Sequence, residues 1–226
     1  MENNKNKKIT KIILNIVIIL LLLVLMFFIT FFATKLRIEK SFKEEINNLD
    51  KGETKTFETS DKGVDNSSIF KIYALKKEAY NKGMNRNYYG ILEIPSVNIK
   101  EKVFKGANKY TLSLGVATDF YEDAEPGKGN FVIAGHNFGV KDVLLSNLDN
   151  VKIGEEIKIK VGSTEYKYKI TKKEMHPDHV IIDHGEISDP LFKYPEIGEK
   201  PLITIYTCEP FGITRQRIVV QGELID

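Results

Sequence analysis

Residues 202–226 read LITIYTCEPFGITRQRIVVQGELID. Two β-branched runs, 202–208 and 216–224, flank a short stretch holding Pro210 and Gly212. Such runs read as strands, and proline cannot continue a strand's hydrogen-bond ladder, so the first should stop near Cys208. Side chains alternate across a strand. Leu202, Thr204, Tyr206 and Cys208 therefore share one face, and Ile203, Ile205 and Thr207 the other. In the last run Arg217 alternates with Val219 and Gln221 against Ile218 and Val220, and Arg215 shares the face of Arg217.

The same pattern continues upstream. Stretches 89–94, 97–104, 115–120, 130–135, 155–161 and 164–175 are β-branched and bounded by turn residues. Eight strands within residues 88–226 predict an all-β domain, a closed or nearly closed barrel with short helices. VLLSNLDNV (143–151) reads as one such helix. The connection over 176–200 is too long for a hairpin, and its Pro177, Ile181, Ile182, Pro190, Leu191, Phe192 and Tyr194 suggest a packed loop that walls a groove.

Ahead of the barrel, IFKIYALKKEAYNKG places Ile69, Ile72, Tyr73, Ala79 and Tyr80 at helical spacing, with Ser67 or Ser68 as cap and Gly83 as stop, giving an N-terminal helix over 67–87. Residues 34–66 are mixed in charge and have little to bury. They read as a helical stub and then a flexible spacer. Residues 12–33, IILNIVIILLLLVLMFFITFFA, carry no charge. As a helix they span roughly 33 Å, about one hydrocarbon core. The run is longer than a signal-peptide apolar region and lacks a good cleavage site, so it reads as an uncleaved transmembrane signal-anchor. Lysines crowd the 1–11 tail, while lysine and arginine beyond the span are diluted by glutamates. This favours a cytoplasmic N-terminus and an extracellular body.

Charge excludes one class of partner. There are 33 basic and 31 acidic side chains, and residues 1–11 alone carry a net +3, which leaves −1 for the rest. A near-neutral body offers no electrostatic footprint for nucleic acid. The single cysteine, Cys208, excludes an internal disulfide. A lone thiol in an exported chain is either a small buried hydrophobe or a reactive group.

Three strand ends carry chemistry. Cys208 closes one strand, His136 follows FVIAG, where Ala134 and Gly135 leave room for a close approach, and Arg217 opens the last strand. Singly, each can be structural: a core thiol, a rim histidine, a solvated arginine. Together they supply a nucleophile, a proton donor for a leaving amine and a fixed positive charge for an oxyanion.

Thr204-Ile205-Tyr206-Thr207-Cys208 resembles the sortase signature Thr-Leu-x-Thr-Cys, with isoleucine for leucine. Ala134-Gly135-His136-Asn137 is similar to the strand end bearing the sortase histidine, Arg217-Ile218-Val219-Val220-Gln221-Gly222-Glu223-Leu224 to the strand bearing its arginine, and Gly90-Ile91-Leu92-Glu93-Ile94-Pro95 to the first strand of that family. The resemblance covers about residues 88–226.

It implies an eight-stranded sortase-type β-barrel and a cysteine transpeptidase without cofactor. Cys208 would attack the carbonyl after threonine in a Leu-Pro-x-Thr-Gly-like sorting signal of a surface protein. The thioester would then pass to a cell-wall amine. His136 takes the acid/base role and Arg217 the oxyanion role, with Arg215 the weaker candidate; Ala134, Thr204 and Thr207 are candidate substrate contacts. The chain ends after its last strand and shows no Asp-Pro-aromatic lid, which favours class A, then class D, over the pilin-polymerising class.

No calcium site is expected. Residues 106–111 have no carboxylate, and Asp119, Glu122, Asp123 and Glu125 read as a solvated acidic loop. His176, His179 and His184, with Asp178 and Asp183, lie at irregular spacing on a loop and read as polar groups near the groove rather than a metal site. Two other readings of the whole chain stand beside this one: a cysteine peptidase releasing product to water, and a non-enzymatic tethered barrel for binding or adhesion.

Overall fold

A computed structural model describes residues 2–43, 68–177, 182–183, 186–208 and 216–225. It contains two compact units, residues 1–41 and 42–226. Helix α1, Glu2–Lys43, is continuous through the apolar run and beyond both its ends. Residues Lys11–Phe42 are long and apolar enough to cross a membrane. The expected spacer lies mostly outside the described residues; its helical stub is the end of α1.

The second unit begins its regular structure with α2, Ile69–Asn81, capped by Ser68, whose Oγ accepts from the Lys71 N–H at 3.4 Å. Gly83 follows at φ 72°, where glycine is least costly. Helix α2 buries Ile72 and Ala79, while Tyr73 and Tyr80 stay exposed.

The strands are β1 Tyr88–Ile94, β2 Ile99–Phe104, β3 Val116–Thr118, β4 Asn130–Ala134, β5 Glu156–Val161, β6 Thr164–Pro177, β7 Ile182–Asp183, β8 Glu186–Ile187, β9 Leu202–Cys208 and β10 Gln216–Leu224. Eight of them close a barrel in the order β1-β2-β3-β4-β9-β10-β6-β5, and β7 pairs only with β8. The all-β barrel read from the sequence is therefore the architecture of the domain.

Several boundaries differ for local reasons. Strand β2 starts at Ile99 because Pro95–Val97 forms a 3-10 turn and Asn98 adopts a left-handed backbone at φ 54°. The helix expected over 143–151 shrinks to a 3-10 turn at Leu148–Asn150, since Asp142 and Leu144 hold φ values of 60° and 48°, outside any right-handed helix. Strand β6 runs two residues past its expected end, which takes His176 out of the loop and into the sheet.

Two cores sit on opposite faces of the same strands. Ile203, Ile205, Ile218, Val220, Phe131 and Ile133 fill the barrel interior with Leu92, Ile94 and Tyr168. Val132, Ala134, Tyr206 and Val219 face outward and are covered by Leu112, Leu114, Leu191 and Phe192. Burying each large apolar side chain contributes about 1.5–3 kcal/mol. Helix α3, Thr111–Leu114, and the 3-10 turn at Pro190–Phe192 carry this outer layer. The outer face of β4, β9 and β10 is thus covered in part by the chain's own segments.

Candidate active site

Cys208, His136 and Arg217 are brought together by strand register. Strands β4 and β9 run parallel, with Asn130 opposite Leu202 and Ala134 opposite Tyr206. The Gly135 N–H extends this ladder to the Tyr206 carbonyl at 3.2 Å. The same offset puts His136 abreast of Cys208. On the other side β9 and β10 are antiparallel, and Cys208 is directly opposite Arg217. Adjacent strands lie about 4.8 Å apart, and opposed residues share a face of the sheet. The backbones of His136, Cys208 and Arg217 therefore form one row across three neighbouring strands, on the outer face that also carries Ala134 and Tyr206. As the sequence suggested, the row lies at strand ends: β4 stops at Ala134, β9 at Cys208, and β10 opens at Gln216.

His136 is 4% exposed. Its carbonyl accepts from the Leu145 N–H at 3.1 Å, and its ring stacks on Phe138 at 5.5 Å between centroids. The close approach expected at Gly135 comes from the protein itself. A Cβ there would meet Leu145 Cδ1 at 2.6 Å and Val116 Cγ1 at 2.9 Å. Glycine lets the chain after His136 fold back against the strand end. Arg217 is also 4% exposed, and one Nη1 donor reaches the Gln216 carbonyl at 3.3 Å. Arg215 lies outside the described residues, as do Asp178, His179, Ile181 and His184.

The candidate substrate contacts divide. Ala134 is on the outer face next to His136, fully buried. Thr207 is fully buried on the barrel-interior face, opposite Ile218. Thr204 is on the outer face but its hydroxyl is occupied: the oxygen lies 2.8 Å from the Leu191 carbonyl and 2.9 Å from Asn130 Oδ1, and it accepts from Gln221 Nε2 at 3.1 Å. Both threonine side chains are fully buried in this structure.

Thr204 instead belongs to an anchor absent from the sequence reading. Asn130 Nδ2 donates to the carbonyls of Leu191 and Lys193, both at 2.9 Å, and Gln221 Nε2 donates to Leu191 at 2.7 Å. Three side chains from β4, β9 and β10 thus fasten the 190–193 segment to the outer face. Phe192 packs against Phe120 and Tyr206, with centroids 5.2 and 5.3 Å away. Part of the long connection is therefore a fixed wall, as its apolar content suggested. Two polar interruptions, Asn130 opening an apolar strand and Gln221 inside Ile-Val-Val-Gln, were the signal for it.

Asp119 was read as part of a solvated acidic loop. It is 1% exposed, hydrogen-bonded to the Tyr206 hydroxyl, and its Oδ1 accepts from the Phe120 N–H at 2.9 Å. Burial of Tyr206, two residues before Cys208 on the same face, demands a partner for its hydroxyl, and Asp119 supplies it. Glu122, Asp123 and Glu125 are exposed, as expected. No cluster of three or more metal-ligating side chains occurs among the described residues.

His176, grouped in the sequence with a loop, lies on β6 opposite Arg217. It extends the row to a fourth strand. Its Nδ1 is 2.5 Å from Oδ2 of the buried Asp189, and its Nε2 is 3.0 Å from Glu174 Oε2.

The barrel domain matches a known family: the sortase-domain profile fits residues 92–225. The chain belongs to the sortase family. It is similar to sortase A of Bacillus anthracis, with 34% identity over 139 residues, 60% of this chain and 59% of that protein. The chain spans only 59% and 55% of the lengths of the two sortase A relatives from Bacillus anthracis and Listeria monocytogenes. Among solved structures, sortase A of Listeria monocytogenes superposes with a TM-score of 0.55 at 27% identity, covering 62% of this chain and 88% of that one. Sortase D5 of Clostridium perfringens gives 0.52 at 20% identity, covering 68% and 99%, a likeness of fold alone.

Proposed function

We propose that this sortase is a membrane-anchored cysteine transpeptidase. It cleaves a Leu-Pro-x-Thr-Gly-like sorting signal between threonine and glycine and joins the surface protein to a cell-wall amine. The observation that carries this reading is the register row of His136, Cys208 and Arg217. The Cys208 thiolate adds to the threonine carbonyl carbon, and the developing oxyanion is met by the Arg217 guanidinium. The carbon–nitrogen bond to glycine breaks as His136 protonates the departing amine. The thioester that remains is attacked by the acceptor amine, His136 takes the proton released, and the Cys208 thiolate is restored. Helix α1 holds the enzyme at the membrane, with its lysine-rich end in the cytoplasm and the barrel outside. Both similar proteins named sortase A support a class A-like enzyme.

The test uses the full-length protein in detergent micelles with a fluorogenic Leu-Pro-x-Thr-Gly peptide, with and without an amine acceptor. Amine-linked product with wild type and none with Cys208→Ala is the expected result. Hydrolysis alone, whatever the acceptor, would make the enzyme a peptidase. An inert Cys208 with an unchanged barrel would make it a binding module.

A further inference from the structure

From the placement of His176 we infer a positioning clamp that fixes the groove wall beside Arg217 by holding Asp189. The inference rests on the transpeptidase reading for its kinetic consequence, but not for its geometry.

Three charged groups face His176 among the described residues. Arg217 opposes it from β10. Glu174 stands two residues earlier on the same face of β6, its Oε2 3.0 Å from Nε2. Asp189 comes from the connection between β8 and the 3-10 turn, its Oδ2 2.5 Å from Nδ1. The Asp189 carboxylate is 2% exposed. The Asp189 contact is a close approach rather than an aligned hydrogen bond.

Both ring nitrogens thus meet carboxylate oxygens. Removing the ring would leave the buried Asp189 carboxylate without its neighbour on β6, and an uncompensated buried charge is expensive.

Asp189 begins the wall. Its other oxygen, Oδ1, accepts from the Leu191 N–H at 2.9 Å and so starts the 3-10 turn, with Pro190 at the first position. The Leu191 carbonyl is the point on which Asn130, Thr204 and Gln221 converge. One end of the wall is therefore held by neutral hydrogen bonds, and the other, through Asp189, by His176. Losing the His176 contact frees the Asp189 end, and on the transpeptidase reading the consequence is weaker signal binding.

The experiment compares full-length wild type with His176→Ala, His176→Gln and Asp189→Asn in micelles. It follows kcat and KM for the fluorogenic sorting peptide and the backbone amide exchange of Leu191 and Phe192. His176→Ala should raise KM about tenfold, with kcat changed less than about threefold, and should accelerate Leu191 exchange. His176→Gln keeps a single donor and should fall between. Asp189→Asn should accelerate Leu191 exchange as well. If His176→Ala does not fold, the glutamine and asparagine variants decide. Unchanged exchange and unchanged KM in those variants would overturn the clamp. A wild type that does not cleave the peptide refutes the transpeptidase reading, and the exchange measurement then judges the clamp alone.

Discussion

Glu101→Gln should make this protein more stable at neutral and alkaline pH. Glu101 lies on β2 between Ile99 and Val103, opposite Leu92 of β1, on the face that forms the barrel core. It is 8% exposed. Burial pushes its carboxyl from 4.5 to about 8, against the smaller opposing effects of the Leu144 backbone N–H, Lys76 and Lys102. Below pH 4.5 folded and unfolded chains both hold the proton, and the group costs nothing. As pH rises towards 8 the unfolded chain releases its proton while the folded chain keeps it. Stability then falls by up to about 1.4 kcal/mol per pH unit. Across the whole interval the ceiling is about 5 kcal/mol, and above pH 8 the loss is complete and flat. Glutamine keeps an oxygen for the Leu144 N–H and has no charge to desolvate. Urea denaturation followed by far-UV circular dichroism, at half-unit steps from pH 4 to 9, measures the difference. The gap between variant and wild type should be near zero at the acid end, open through the interval and level off near pH 8. Parallel pH profiles, or a variant less stable at pH 8, would refute the reasoning.

Three further outcomes are expected. Thr204→Val removes the hydroxyl between Asn130, Leu191 and Gln221 and should cost about 1–3 kcal/mol in the same denaturation assay; a loss under about 0.5 kcal/mol would mean the anchor does not depend on it. Gly135→Ala forces a methyl into Leu145 and Val116, and overpacking of this kind costs about 1–3 kcal/mol; because the strain falls on the residue before His136, peptide turnover should drop as well, measured with the fluorogenic substrate. Arg217→Ala should lower turnover about a hundred- to a thousandfold with the barrel intact by circular dichroism; equal activity would move the oxyanion role to Arg215 or to backbone donors.

Strand content was legible because it is local. The alternation in 202–208 and 216–224 separates Ile203, Ile205, Ile218 and Val220 from Tyr206, Val219 and Gln221, and the structure puts those sets in different cores. The members of the row could be named from residue type and strand-end position. Their alignment could not, because the parallel pairing of β4 with β9 joins residues 72 apart, as Asn130 with Leu202. That offset is a property of the closed sheet and leaves no trace in either strand. The buried Asp119 looked solvated for the same reason: its partner, Tyr206, lies 87 residues away. His176 was placed in the connection over 176–200, yet β6 runs on through Pro177, and proline is tolerated at a strand end, where its missing N–H interrupts little. The helix expected over 143–151 failed on backbone sign at Asp142 and Leu144, which apolar spacing does not encode.

The pairing of β4 with β9 also governs when His136 and the end of β9 come together. Hairpins such as β5–β6 close over short loops, but uniting β4 with β9 requires a long segment to be gathered first, a step that is slow by topology. On the proposed reading the assembled site is therefore a late product of folding, and labelling of Cys208 during refolding would clock the closure of the barrel.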